Sequence, residues 1–318
     1  MRADDSSLIA EYFGYESRWL STRPGEHIHY LDEGRPDGVP VVLLHGSAIG
    51  ITAAANFYLT IPALVAAGHR VIAPDLYGYG FTETPGDVPA VRPNQVDLVV
   101  RLLDALELPK AYVVGNSLGG MVLSSLVLEH PERVAGGVVV GTGGARWESG
   151  SRFEPNLTSH KDMGGYSPAM VRRSMEHLVH DPRMIPEPLV EFRTRMAERP
   201  GAYEQHQEST RLREASKVDY PFAVDRAGAC QVPMLFLFGR EDRVNPPEDA
   251  LAGMESFANA DLVVFGQCGH WTMVERADEF NHFVLRFIAG WDRRIVAPPL
   301  QGDALRMSGS TSGQHADV

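Results

Sequence analysis

Three residues define the chemistry open to this chain: Ser117, Asp242 and His270. Ser117 lies in Gly115-Asn116-Ser117-Leu118-Gly119, after the apolar run Ala111–Val114 and before the helical pattern MVLSSLVLEH. A G-x-S-x-G motif at a strand-to-helix junction lifts its serine hydroxyl above a sheet, on a turn too tight for side chains at the two glycines. The helix that follows aims free N–H groups and its positive dipole end at the same spot, so the Leu118 N–H is a candidate oxyanion donor.

A serine hydroxyl is a weak nucleophile until a base accepts its proton and a third group holds that base. His270, in Gly266-Gln267-Cys268-Gly269-His270-Trp271, stands on a glycine-rich loop just past the strand pattern LVVF. Asp242, in Gly239-Arg240-Glu241-Asp242-Arg243-Val244-Asn245-Pro246, follows MLFLF one strand and one helix earlier, which puts both side chains at one sheet edge. Glu241 is the direct competitor for the acid. The order serine, acid, histidine is that of the α/β-hydrolase fold. His45 and Asp75 precede the nucleophile and read as structural. The loop His45-Gly46-Ser47-Ala48-Ile49-Gly50 should supply a second oxyanion donor from the backbone of Ser47 or Ala48.

These residues need a rigid scaffold. Apolar β-rich runs at Val39–Leu44, Arg70–Ala73, Ala111–Val114, Val134–Val140, Met234–Phe238 and Asp261–Phe265 alternate with helical patterns. Continuous apolar runs mark strands buried on both faces of a parallel sheet. Ser17–Ser21 and His27–Leu31 read as a leading antiparallel pair. Helices are expected at Ala55–Ala67, Gln95–Leu106, Leu118–His130, Ala250–Phe257 and Ala277–Ala289. The prediction is an α/β-hydrolase fold: a mostly parallel eight-stranded sheet flanked by helices, with an inserted helical lid. Residues 1–144 and 226–292 form the core. Residues 145–225 form the lid, helical near Pro168–Val179 and Glu187–Glu198. Residues 293–318, rich in Gly, Ser and Pro, make a flexible tail.

A net charge of −12 argues against nucleic acid or an anionic membrane as partner. No apolar run is long enough to span a bilayer, and the N-terminus lacks a secretory pattern, so a cytoplasmic location is expected. With only two cysteines, a disulfide framework is excluded, and no zinc spacing occurs. The chemistry needs no metal or organic cofactor.

Beyond the fold, the chain resembles the meta-cleavage product hydrolases, which break a carbon–carbon bond in ring-fission products of aromatic catabolism. The resemblance extends to about residue 290 and is densest in HGSAIGITAAANF, VGNSLGG, GREDRVNP and VFGQCGHWTMVERADEFN. It implies 2-hydroxy-6-oxo-hexa-2,4-dienoate substrates, with Arg193, Asn56, Asn116, Trp271 and Gly46 in the binding site. A guanidinium can grip a carboxylate and a neighbouring oxygen with two parallel hydrogen bonds. The resemblance also implies a homodimer or higher homo-oligomer. One departure is Ala48-Ile49-Gly50 where the family has Gly-Pro-Gly, which would reshape the cavity floor; the extended tail is another. A carboxylesterase acting on small or aromatic esters is the alternative activity, and a noncatalytic ligand receptor of the same fold a further one.

Overall fold

The structure, a computed structural model, describes residues 7–86, 88–142, 167–215 and 224–290. Its strands are β1 (Arg18–Leu20), β2 (Ile28–Gly34), β3 (Pro40–Leu44), β4 (Arg70–Pro74), β5 (Ala111–Asn116), β6 (Val134–Val140), β7 (Met234–Gly239) and β8 (Ala260–Phe265). They form one eight-stranded sheet in the order β1-β2-β4-β3-β5-β6-β7-β8. Only β2 runs antiparallel to its neighbours, so the leading pair and the parallel remainder both match expectation.

Helix α1 (Ser7–Phe13) precedes the sheet; α2 (Ala53–Asn56) and α3 (Thr60–Ala66) follow β3. Then come α4 (Arg92–Ala105) after β4 and α5 (Leu118–Glu129) after β5. Between β6 and β7 stand α6 (Pro168–Leu178), α7 (Glu187–Ala197), α8 (Ala202–Ala215) and α9 (Val224–Ala227). The chain continues with α10 (Pro247–Ser256) before β8, then α11 (Thr272–Glu275) and α12 (Ala277–Gly290). Every residue of β5 and β7 is buried, as is Val41–Leu44 of β3. Each such Val or Leu side chain contributes about 1.5–3 kcal/mol relative to exposure. Parallel register puts Leu44 beside Gly115, and Gly239 beside Phe265. The loops that leave β3, β5, β7 and β8 therefore open at one sheet edge, where ligands bind in open α/β sheets.

Two expectations are corrected. The single helix over Ala55–Ala67 is two helices. Thr52 Oγ1 caps α2 by accepting from the Ala55 N–H at 3.1 Å, and the chain turns at Phe57 before α3. Pro62 would clash with the Tyr58 carbonyl in one continuous helix. Strand β8 is only partly buried, because it is the sheet edge and has one neighbour. Helix α8 falls within the segment expected to be a helical lid but is not one of its two named pieces: its sequence AYEQHQESTRLREA is polar nearly all round and shows no apolar stripe. Of the expected lid, 145–166 and 216–223 lie outside the described residues, as does the 293–318 tail.

Candidate active site

Ser117 stands between β5 and α5 with φ 51° and ψ −110°, a conformation costly for a residue with a side chain. Its surroundings enforce it. The Ser117 N–H donates to the Val140 carbonyl at 2.8 Å, and the Gly119 N–H to the His45 carbonyl at 3.1 Å. A Cβ at Gly115 would stand 2.3 Å from the Gly119 carbonyl oxygen, and one at Gly119 2.0 Å from that of Leu44. Both glycines are thus dictated by backbone approach. Leu118 opens α5, in the turn whose N–H groups lack intrahelical acceptors.

His270 Nδ1 lies 2.8 Å from Asp242 Oδ2, and both side chains are buried. Since an ionised carboxylate only accepts, Nδ1 carries the proton and Nε2 is left as the basic nitrogen. Asp242 Oδ1 accepts from the Val244 and Asn245 N–H groups at 2.7 and 2.9 Å, which fixes the carboxylate. Asn245 Nδ2 donates to the Gly141 carbonyl at 2.6 Å, and Gly141 (φ 61°) lies so close that a Cβ there would meet the His270 ring at 2.9 Å. Glu241 does not contact the histidine. Its Oε2 accepts from the Cys268 N–H at 3.0 Å, so it staples the acid loop to the base loop.

The two earlier candidates are structural, as expected. His45 Nε2 accepts from the Leu76 N–H at 2.9 Å while Nδ1 sits 2.6 Å from the Gly46 carbonyl; burial pushes its pKa down. Asp75 is buried, which alone would raise its pKa, but the adjoining His29 ring and the Phe81 N–H hold it low.

A small cleft opens beside Ser117 and His270. Gly46, Ser47, Ala48, Asn56, Asn116 and Trp271 line it, as does Leu178 at the end of α6, which sequence reading did not single out. Ile49 departs from expectation. Its side chain is buried in the core and does not line the cleft, whereas its carbonyl accepts from Arg193 Nη2 at 2.7 Å and Nε at 3.3 Å. Of the two substituted positions, only Ala48 faces the cleft.

Arg193, on α7, is fully buried and does not itself line the cleft; its guanidinium carbon stands 5.5 Å from the ring centroid of Trp271, which does. Among the described residues no carboxylate pairs with it, and burial pulls its pKa down to about 9. It therefore stays a cation near neutrality. Arg193 Nη1, Asn56 Nδ2 and Asn116 Oδ1 are buried without hydrogen-bond partners. Asn56 Oδ1 accepts weakly from the Gly46 N–H at 3.4 Å. Buried polar atoms are almost always satisfied, so two orphans on residues lining the cleft and a third, cationic, on the arginine packed against its Trp271 point to a polar, anionic ligand. Among the described residues no group of His, Cys, Asp and Glu is placed to hold a metal, and no helix is long and apolar enough to cross a membrane.

Fold, strained serine and buried acid–base pair define a serine hydrolase of the α/β type, and the family model described as alpha/beta hydrolase fold matches residues 39–277. Within that class, the chain belongs to the meta-cleavage product hydrolases. It is 36% identical to the 2-hydroxymuconate semialdehyde hydrolase of Pseudomonas sp. (strain CF600), over 82% of this chain and 90% of the relative. It is 34% identical to the 2-hydroxy-6-oxo-2,4-heptadienoate hydrolase of Pseudomonas putida, over 80% and 91%. Among solved structures it is similar to a meta-cleavage product hydrolase from Pseudomonas fluorescens complexed with acetates, with a TM-score of 0.73 and 34% identity over 83% of this chain and 95% of that one. A 2-hydroxy-6-oxo-6-phenylhexa-2,4-dienoate hydrolase from Rhodococcus gives a TM-score of 0.78 at 28% identity, over 86% and 99%.

Proposed function

We propose that this enzyme hydrolyses the C5–C6 bond of 2-hydroxy-6-oxo-hexa-2,4-dienoate-type ring-fission products. The observation that carries the reading is the pair of unsatisfied buried amide atoms in the Ser117 cleft, Asn56 Nδ2 and Asn116 Oδ1, backed by a buried arginine without a carboxylate partner that packs on Trp271 of the same cleft. A dienoate brings what they lack: its C1 carboxylate and 2-oxygen offer acceptors to Arg193 and Asn56, and its 2-hydroxyl offers a donor to Asn116. A simple ester leaves them unpaired.

In this reading His270 Nε2 is the general base, and Asp242 fixes its tautomer and stabilises the imidazolium. The base takes a proton from Ser117, or from a water that Ser117 positions, as the oxygen attacks the C6 carbonyl. Negative charge then develops on the former carbonyl oxygen, where the Leu118 N–H and the backbone of Ser47 or Ala48 receive it; such a donor contributes ~3 kcal/mol to the barrier. Collapse breaks the C5–C6 bond. The bond breaks from the 2,6-dioxo tautomer, which Arg193 and the asparagines favour and in which the 2-hydroxyl proton has gone and C5 has gained one. The C5–C6 pair flows through C3=C4 onto the 2-oxygen, which takes a proton, and C6 becomes the carboxyl of the second product. The net reaction consumes one water. Helices α6 to α8 act as a lid that shields this site.

The test is binding of the intact dienoate to Ser117→Ala, followed by the change in its absorption spectrum. Saturable binding that is lost in Ser117→Ala/Arg193→Met supports the reading. Equal binding by both proteins would overturn the role given to Arg193.

A further inference from the structure

Glu275, the last residue of α11, is buried and does not line the cleft, yet the loop carrying His270 and the chain just past α6, whose last residue Leu178 lines the cleft, meet on its carboxylate. Its Oε2 accepts from the Gly269 N–H at 2.6 Å, immediately before His270. Its Oε1 accepts from the His180 and Asp181 N–H groups at 2.7 and 2.9 Å, immediately after α6. The segments also touch directly. The Trp271 N–H donates to the Leu178 carbonyl at 3.0 Å, and a Cβ at Gly269 would stand 2.8 Å from the His180 nitrogen. Leu178 lines one wall of the cleft, and His270 and Trp271 another.

We propose that Glu275 is a positioning residue: it clamps the end of lid helix α6 to the loop carrying His270, so that closing the site and aligning the base are one event. The proposal rests on the lid and base roles given above. An ionised carboxylate suits the place because it only accepts, and three backbone donors converge on it. Glutamine does not replace it, since its amide NH₂ would face an N–H on one side or the other. Loss of the clamp frees both segments, and misplacement of a catalytic group by about an ångström costs on the order of 100-fold in rate.

The test uses Glu275→Ala and Glu275→Gln in the full chain, with two readouts. The first is kcat per reactive serine, counted by fluorophosphonate titration, on whichever acyl substrate the wild type turns over. The second is amide hydrogen exchange of the 178–183 and 266–272 segments, which needs no substrate. The proposal expects kcat per titrated site to fall about 100-fold in Glu275→Ala with KM little changed. It also expects protection to be lost in both segments together while β5 and β7 stay protected. Wild-type kcat per titrated site alongside a lowered unfolding temperature would show a merely structural residue. Exchange that rises at 180–181 alone would show a lid tether without hold on the base. Either result overturns the proposal. If Glu275→Ala does not fold, Glu275→Gln, which keeps the volume, decides by the same outcomes. Failure of the dienoate reading leaves the exchange result intact, so the two failures are distinguishable.

Discussion

The Arg193 guanidinium lies over the Trp271 ring, 5.5 Å from its centroid, and directs two of its nitrogens at the Ile49 carbonyl while Nη1 has no partner. A buried cation with this little compensation is a cost to the folded state. Its depressed pKa says the same: the charged form is disfavoured in the fold, and the cost applies at every pH below about 9. The Arg193→Met variant should therefore melt no lower than wild type between pH 6 and 8, while its kcat/KM on a dienoate falls about 100-fold with the charge-assisted hydrogen bonds. Calorimetry and steady-state kinetics check both halves. A lower melting temperature with unchanged turnover would contradict the binding role.

The same orphan atoms predict stabilisation by ligand. A product-like 2-hydroxyalkenoate at 100 times its dissociation constant should raise the unfolding free energy by ~2.7 kcal/mol. The shift should shrink in Asn56→Ala and Asn116→Ala, and be smallest in Arg193→Met. Thermal shift titrations measure it; an undiminished shift in all three variants would place the ligand elsewhere.

Acid should destabilise the fold through His45. Its Nε2 accepts a backbone N–H, so a second ring proton would face the Leu76 N–H. Burial lowers its folded pKa below the unfolded value, so the stabilisation is present above about pH 6.5 and is lost as pH falls through that value. Half-buried His69 is shifted the same way and adds to the slope. Fully buried His45 contributes up to about 1.4 kcal/mol per pH unit below its unfolded pKa, and solvent-screened His69 less. Denaturant titrations from pH 7 to 5 should show a shallower slope for His45→Gln than for wild type; equal slopes would refute the assignment.

Gly141→Ala probes the room left for His270. The new Cβ would stand 2.9 Å from the ring in a backbone with φ 61°, and both the ring and the loop must give way. Strain of this kind costs about 1–3 kcal/mol of stability. The kinetic loss should be larger than such destabilisation implies, measured as kcat per titrated serine on a sample shown to be folded. Full activity per site would mean that the ring tolerates displacement.

Much of this site was legible because its residues sit where short-range rules are strict. Gly115 and Gly119 are required by carbonyls that lie within 2.3 Å of any added Cβ, so the elbow announces itself in sequence. Asp242 and His270 follow strands whose apolar runs fix their ends. Other features depend on distant segments. Asn245 and Gly141 are 104 positions apart, and no local pattern foretells their hydrogen bond. Glu275 looks like an ordinary helix glutamate until the chain near 180 is brought beside it. Ile49 shows the limit at one residue: its type suggests a cavity wall, but its side chain is buried in the core and its carbonyl accepts from Arg193. Helix α8 has too polar a surface for periodicity to find.

The most direct test of the central claim is the absorbance decay of coloured 2-hydroxy-6-oxo-dienoates, with Ser117→Ala as control and an aryl ester alongside. The account predicts rapid bleaching by wild type, yielding 2-hydroxypentadienoate and an acid from the distal part, and its loss or severe slowing in Ser117→Ala. Turnover of the ester with no bleaching of any dienoate would contradict it and make this enzyme a carboxylesterase.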